Sequence, residues 1–162
     1  MKKLILFFFF LLPLSGFSQE VGKNAPLFTG YSASGDTIKL SDFSGKVIIL
    51  DFWASWCGPC KEEFPFLIDL YNKYSEKDFS VLAVNVDENS SSMNKFLSGI
   101  NKDVPFKIIS DRKSKLPELY NLDAMPSSFV IDKKGVVRFA HTGFTNSDRD
   151  KFISEIEKIL AE

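Results

Sequence analysis

Cysteine is scarce in this 162-residue chain: Cys57 and Cys60 are the only two, and His141 is the only histidine. Two thiols cannot build the multi-bridge framework that holds many small secreted domains together. The loop they would close is also too short to gain much by constraining the unfolded chain. A structural zinc site needs about four ligands, and beyond the thiols only His141 remains among the usual soft or imidazole donors. No metal or other cofactor is therefore expected. Charge of one sign is missing too, with 20 basic against 21 acidic side chains and a net charge of −1. That balance carries no electrostatic footprint for nucleic acid or an anionic membrane surface. Long hydrophobic runs are absent: the longest, Leu4–Leu12, has nine residues, against roughly 20 for a helix that crosses a bilayer.

What is present begins with that short run. Lys2 and Lys3 precede it, Pro13, Ser15 and Gly16 break it, and Gly16 and Ser18 are small residues at the −3 and −1 positions of a cut before Gln19. This is the pattern of a cleaved export signal; the alternative is an uncleaved inner-membrane anchor facing the periplasm. The reading assigns residues 1–18 to the signal and residues 19–162 to one periplasmic domain, a monomer of net charge −3 once Lys2 and Lys3 are removed. No repeat, linker or low-complexity segment divides it.

Along the domain, Gly35-Asp36 between Leu27–Tyr31 and Thr37–Leu40 predicts a hairpin, and 41–46 a turn. Val47–Trp53 is apolar, β-branched and aromatic, as in a strand buried on both faces, with Asp51 its one charge. From Cys57 the period becomes helical through Phe64, Leu67, Ile68, Tyr71 and Tyr74. Pro59 suits the first turn; Pro65 is expected to kink the helix. A strand over Phe79–Val86, a helix over Ser90–Ile100, a strand near Pro105–Ile109 and a short helix near Ser114–Tyr120 follow. Then come a hairpin (Phe129–Ile131 and Val136–Ala140) and a terminal helix over Phe152–Leu160, capped by Asn146 or Ser147. Strands alternating with helices argue for an α/β fold, a central mixed sheet with helices on both faces.

The candidate chemistry sits where the long strand meets the helix. At a helix start, unpaired N–H groups and the helix dipole favour a thiolate and lower the pKa of Cys57. Cys60, one turn on, faces the protein body and can resolve a mixed disulfide formed at Cys57. The pair thus reads as a redox-active disulfide, Cys57 the exposed nucleophile and Cys60 the resolving thiol; a structural bridge is the blander alternative. Asp51, six residues earlier, is expected to have a raised pKa in its apolar strand. It would accept the Cys60 proton and return it in the reverse step; a solvent-facing strand-edge carboxylate is the alternative. Pro126, directly before a strand, is a candidate cis peptide, although an ordinary trans bond is what the residues alone favour. Glu62 and Glu63 are accounted for by the helix dipole, and His141 by packing.

The stretch from Asp51 to Lys61 resembles the thioredoxin superfamily in the Asp51–Cys57 interval, in Trp56-Cys57-Gly58-Pro59-Cys60-Lys61 and in Pro65. Met125-Pro126-Ser127-Ser128-Phe129 stands where that family keeps its cis-proline. The signal, the hairpin ending in 40–46, the Lys61-Glu62-Glu63-Phe64-Pro65 continuation and an inserted strand–helix unit are most similar to the exported TlpA/ResA-like branch. The resemblance implies a thioredoxin fold and a cis Pro126. It also implies a substrate-binding surface of Trp56, Gly58, Pro59, Met125 and Pro126. The implied activity is reduction of protein disulfides outside the cytoplasm, apocytochrome c among the substrates, with a membrane thiol-electron donor as the other partner. Two positions depart from the branch: Gly58 where ResA-type chains carry Glu, and Asp51 where many carry Asn. Two other readings share the fold. A peroxiredoxin-type peroxidase would place Thr or Ser where Ala54 stands, and a Sco-like copper carrier would need His141 and a wider cysteine spacing.

Overall fold

The computed structural model describes residues 21–162; the signal expectation for residues 1–18 lies outside the described residues. Val47–Trp53 forms β3, with all seven residues buried, as its apolar composition requires of a central strand. Ahead of it, β1 (Thr29–Tyr31) and β2 (Thr37–Lys39) pair as the expected hairpin. The segment read as a turn over 41–46 instead opens with one 3₁₀ turn, Leu40–Phe43.

The second strand of the main sheet, β4 (Phe79–Asn85), runs parallel to β3, and β5 (Lys107–Ser110) runs parallel to β4. On the other side, β6 (Ser127–Ile131) is antiparallel to β3, and β7 (Val137–Thr142) closes the edge, giving the order β5-β4-β3-β6-β7. The helices are α1 (Gly58–Tyr74), α2 (Ser90–Ser98), α3 (Lys115–Leu119) and α4 (Arg149–Leu160).

Alternation along β3 divides the core in two. Val47, Ile49 and Trp53 pack with α1, with Met93 of α2 and with Phe152 and Ile156 of α4. Ile48, Leu50 and Phe52 pack with Leu116 of α3 and Ile38 of the hairpin. Burial of these side chains at ~25 cal/mol per Å² of apolar area holds the layers together. Gly30 lets the hairpin approach the sheet, because a Cβ there would stand 2.6 Å from Ile109 Cγ2.

The helix α1 runs continuously through Pro65, with Phe64, Phe66, Leu67 and Ile68 buried against the sheet layer. One local expectation changes: the residue that directly precedes α4 as its cap is Asp148, not Asn146 or Ser147, and the 3₁₀ turn before it is capped by Thr145. The Thr145 N–H and hydroxyl both donate to the Asp148 carboxylate, at 2.7 and 2.8 Å, and a 3₁₀ turn over Asn146–Asp148 leads into the helix.

Candidate active site

The β3–α1 junction carries both cysteines. Cys57 is the N-cap of α1 and Pro59 falls in its first turn, where a missing N–H costs nothing. A disulfide joins Cys57 to Cys60 across Cα atoms 5.3 Å apart, and the Cys60 N–H donates to Cys57 Sγ at 3.2 Å. The loop is fastened from behind: Asp87 accepts from the Ser55 N–H at 3.1 Å and the Ser55 hydroxyl at 2.9 Å, and is itself held by Asn85. Cys57 is 4% exposed and Cys60 1%, so the expected exposed nucleophile shows only an edge of its sulfur-bearing side chain in the disulfide state.

That edge opens into a cleft of about 480 Å³ whose walls include Trp56, Cys57, Gly58, Pro59, Leu122 and Met125. Four of the residues expected to meet substrate thus converge on Cys57. The fifth, Pro126, is buried beneath them; its bond to Met125 is cis.

Behind the disulfide, Asp51 lies opposite Ser128 on β6, and Ser128 opposite His141 on β7. Directly opposed residues share a face, so the three form a row across the sheet on the side covered by α1. Ser128 Oγ is 3.2 Å from Asp51 Oδ1 and 2.6 Å from Glu63 Oε1. A serine hydroxyl has one proton to donate. Both contacts can be hydrogen bonds only if one of the two carboxyls is protonated and donates to the serine oxygen.

Burial points the same way. Asp51 and Glu63 are each 1% exposed, and Glu63 Oε2 has no partner among the described residues. Loss of hydration pushes the Asp51 carboxyl up to about 7 and the Glu63 carboxyl well above the usual range, the Asp51 charge adding to the latter. Both carboxyls thus favour the neutral form, and the pair keeps at least one proton that Ser128 lets them share.

Glu63 is the residue that the helix-dipole reading missed. Cys60, Glu63, Phe64 and Leu67 share the buried face of α1, whereas Glu62 is exposed. The available signal was a charged residue in register with an apolar stripe. His141 joins neither sulfur nor carboxyl pair; it lies 3.5 Å from Asp148 and stacks on Phe139.

Comparison with known proteins follows the same outline. A family model described as Redoxin matches residues 20–160. The thiol-disulfide oxidoreductase ResA of Geobacillus kaustophilus is 36% identical over 138 residues, covering 85% of this chain and 78% of that one. ResA of Bacillus subtilis is 33% identical over 122 residues, 75% and 67% of the two chains. A Chlorobium tepidum crystal structure assigned as a thiol:disulfide interchange protein DsbE superposes with a TM-score of 0.82 at 40% identity, over 87% of this chain and 98% of that one. With a match that takes in both cysteines, the whole sheet and nearly all of the last helix, the chain belongs to the Redoxin family.

Proposed function

We propose that this chain is an exported thiol–disulfide oxidoreductase that reduces disulfides in partner proteins. The observation that carries it is the Cys57–Cys60 disulfide at the start of a 17-residue helix, open on one side to a cleft and backed by buried carboxyls. In the reduced protein the unpaired N–H groups of the first helical turn stabilise a Cys57 thiolate. That thiolate attacks one sulfur of the partner's disulfide, forming a mixed disulfide and releasing the other partner sulfur, which takes a proton from solvent. Cys60 then gives its proton to Asp51 and attacks Cys57 Sγ. The mixed disulfide breaks, the second partner sulfur leaves as a thiolate that takes a proton from solvent, and the Cys57–Cys60 bond closes. Two electrons have passed from the dithiol to the partner. Trp56, Gly58, Pro59, Met125 and Pro126 form the surface that holds the partner chain during these steps.

A peroxidase reading gains no support at Ala54, which is fully buried and has no hydroxyl to offer. A copper-carrier reading gains none at His141, which is engaged with Asp148.

The resemblance to the TlpA/ResA-like branch extends the proposal to place and partners: residues 1–18 are an export signal, residues 19–162 work in the periplasm, apocytochrome c is one substrate, and a membrane thiol donor restores the dithiol. No helix among the described residues is long and apolar enough to cross a membrane. The decisive measurement is the Cys57/Cys60 midpoint, read by tryptophan fluorescence in thiol–disulfide buffers. A reductase is expected near the roughly −270 mV of thioredoxin, and a value near the −120 mV or so of a strong oxidant overturns the direction. Sequencing the exported protein's amino terminus tests the signal, with Gln19 expected first.

A further inference from the structure

A second depression, of about 650 Å³, lies beside the redox loop between α1 and α2. Pro65, Phe96 and Ile100 give it an apolar lining, and Lys61, Lys95 and Lys102 stand around it. No acidic side chain lines it among the described residues. Lys102 is paired with Asp69; Lys61 and Lys95 are exposed and, among the described residues, meet no carboxylate. The cleft at Cys57 has the opposite character, with Asp123 on its wall and neither lysine nor arginine.

The groove is continuous with the chemistry. Ser55, two residues before Cys57, and Lys61, next after Cys60, both line it; Trp56, the residue between Ser55 and Cys57, is 68% exposed. Phe96 is backed by the core, its ring 4.6 Å from Trp53 and 5.5 Å from Phe64. Two uncompensated lysines, Lys61 and Lys95, beside an apolar surface, on a chain of net charge −1, are complemented by a ligand that is both anionic and apolar.

We propose that this groove docks a segment of the disulfide-bearing partner protein that carries acidic side chains next to an apolar one, and so selects partners for exchange at Cys57. The inference rests on the thiol–disulfide reading above. The partner's carboxylates pair with Lys61 and Lys95 while its apolar side chain covers Phe96 and Ile100. Attraction of this kind raises the encounter rate and weakens as salt screens it.

The test uses the reduced full-length domain and synthetic peptides with one intramolecular disulfide, flanked on either side by Glu-Phe-Asp, Ser-Phe-Asn or Lys-Phe-Arg. At low salt the acidic peptide should be reduced about tenfold faster than the neutral one, measured as kcat/KM, with the advantage nearly gone at high salt. In the Lys61→Glu/Lys95→Glu variant the acidic-to-neutral rate ratio should fall below one, and Lys95→Glu alone, farther from Cys60, should move it the same way. Ile100→Ser should slow reduction of the acidic peptide, and replacing that peptide's flanking Phe by Ser should abolish the difference between variant and parent. Equal rates for all three peptides, or a variant that slows them alike, overturn the groove and leave the exchange reading standing. Failure to reduce any peptide removes both. Self-association of the domain that is lost in Lys95→Glu makes a second copy the occupant and overturns the proposal.

Discussion

Replacing Asp51 by Asn should make the protein more stable, and by an amount that depends on pH. Asp51 is buried with a carboxyl raised from 3.8 to about 7, chiefly by loss of hydration. Below pH 3.8 the group is neutral in both the folded and the unfolded chain and costs no charge burial. Between 3.8 and about 7 the unfolded chain has released the proton and the folded chain has kept it, so stability falls as pH rises. Above about 7 both states are ionised and the penalty is constant. At about 1.4 kcal/mol per pH unit the full penalty is roughly 4 kcal/mol, a large share of the ~5–15 kcal/mol by which domains are stable. An asparagine cannot ionise, and its amide oxygen can still accept the Ser128 proton. Asp51→Asn should therefore match the parent to within about 1 kcal/mol near pH 4 and exceed it by about 3–4 kcal/mol near pH 8. The assay is guanidinium unfolding of both oxidised proteins across that range, with thermal unfolding expected to show a rise in Tm of roughly 10 °C at the alkaline end. A gain that is the same at every pH would refute the reasoning, because it would come from packing rather than from ionisation. The same variant should slow disulfide exchange at neutral pH, and an unchanged rate removes Asp51 from the mechanism.

Ser128→Ala removes the hydroxyl that joins the two carboxyls and should cost about 1–3 kcal/mol in denaturant unfolding, together with slower release of the second partner thiol. Glu63→Gln keeps a partner for Ser128 but cannot ionise. The parent should lose further stability at alkaline pH as Glu63 gives up its proton, and the variant should not; unfolding across that range distinguishes them. Gly58→Glu meets no atom within 4 Å at its Cβ, so the denaturation midpoint should barely move. The added carboxylate beside Cys57 should raise the pKa of its thiol, seen as an alkaline displacement of the alkylation profile. Cys60→Ala should leave partners trapped as mixed disulfides on Cys57, visible on non-reducing gels and released by a small thiol; no trapped species counts against the division of roles between the cysteines.

Strand β3 and the redox pair were legible because several local signals agreed there. Val47–Trp53 combines β-branched residues with an apolar run that only Asp51 interrupts, and the observed strand has those same bounds. Cys57, Pro59 and the apolar stripe that follows announce a helix start together. Where one signal stood alone it misled. Asn146 and Ser147 are both good caps by type, yet they lie inside a 3₁₀ turn that Thr145 caps by donating to Asp148, three residues on, and α4 begins only after Asp148. Glu63 was misread for a different reason. Its helix position suits an acid on dipole grounds, and what makes it distinctive, the cross-strand placement of Ser128 against Asp51, depends on β6 returning to pair with β3, the two residues being 77 positions apart. No local window contains that contact.

The carboxyl pair also explains how a fold tolerates two acids in its core. A neutral carboxyl in an apolar site costs what a buried polar group costs, a few kcal/mol when partly satisfied; a charged one costs far more unless paired, and among the described residues no cation is hydrogen-bonded to either group. Sharing Ser128 lets the site hold one proton and one charge, or two protons and none, before it must accept two charges. Cys60 and Glu63 lie one turn apart on the same buried face of α1, so under the proposed mechanism a proton leaving Cys60 is taken up on the interior side, while Cys57 meets its partner at the cleft. Resolution by Cys60 then needs an ionised Asp51, and that step should slow as pH falls through about 7, where Asp51 takes up its proton.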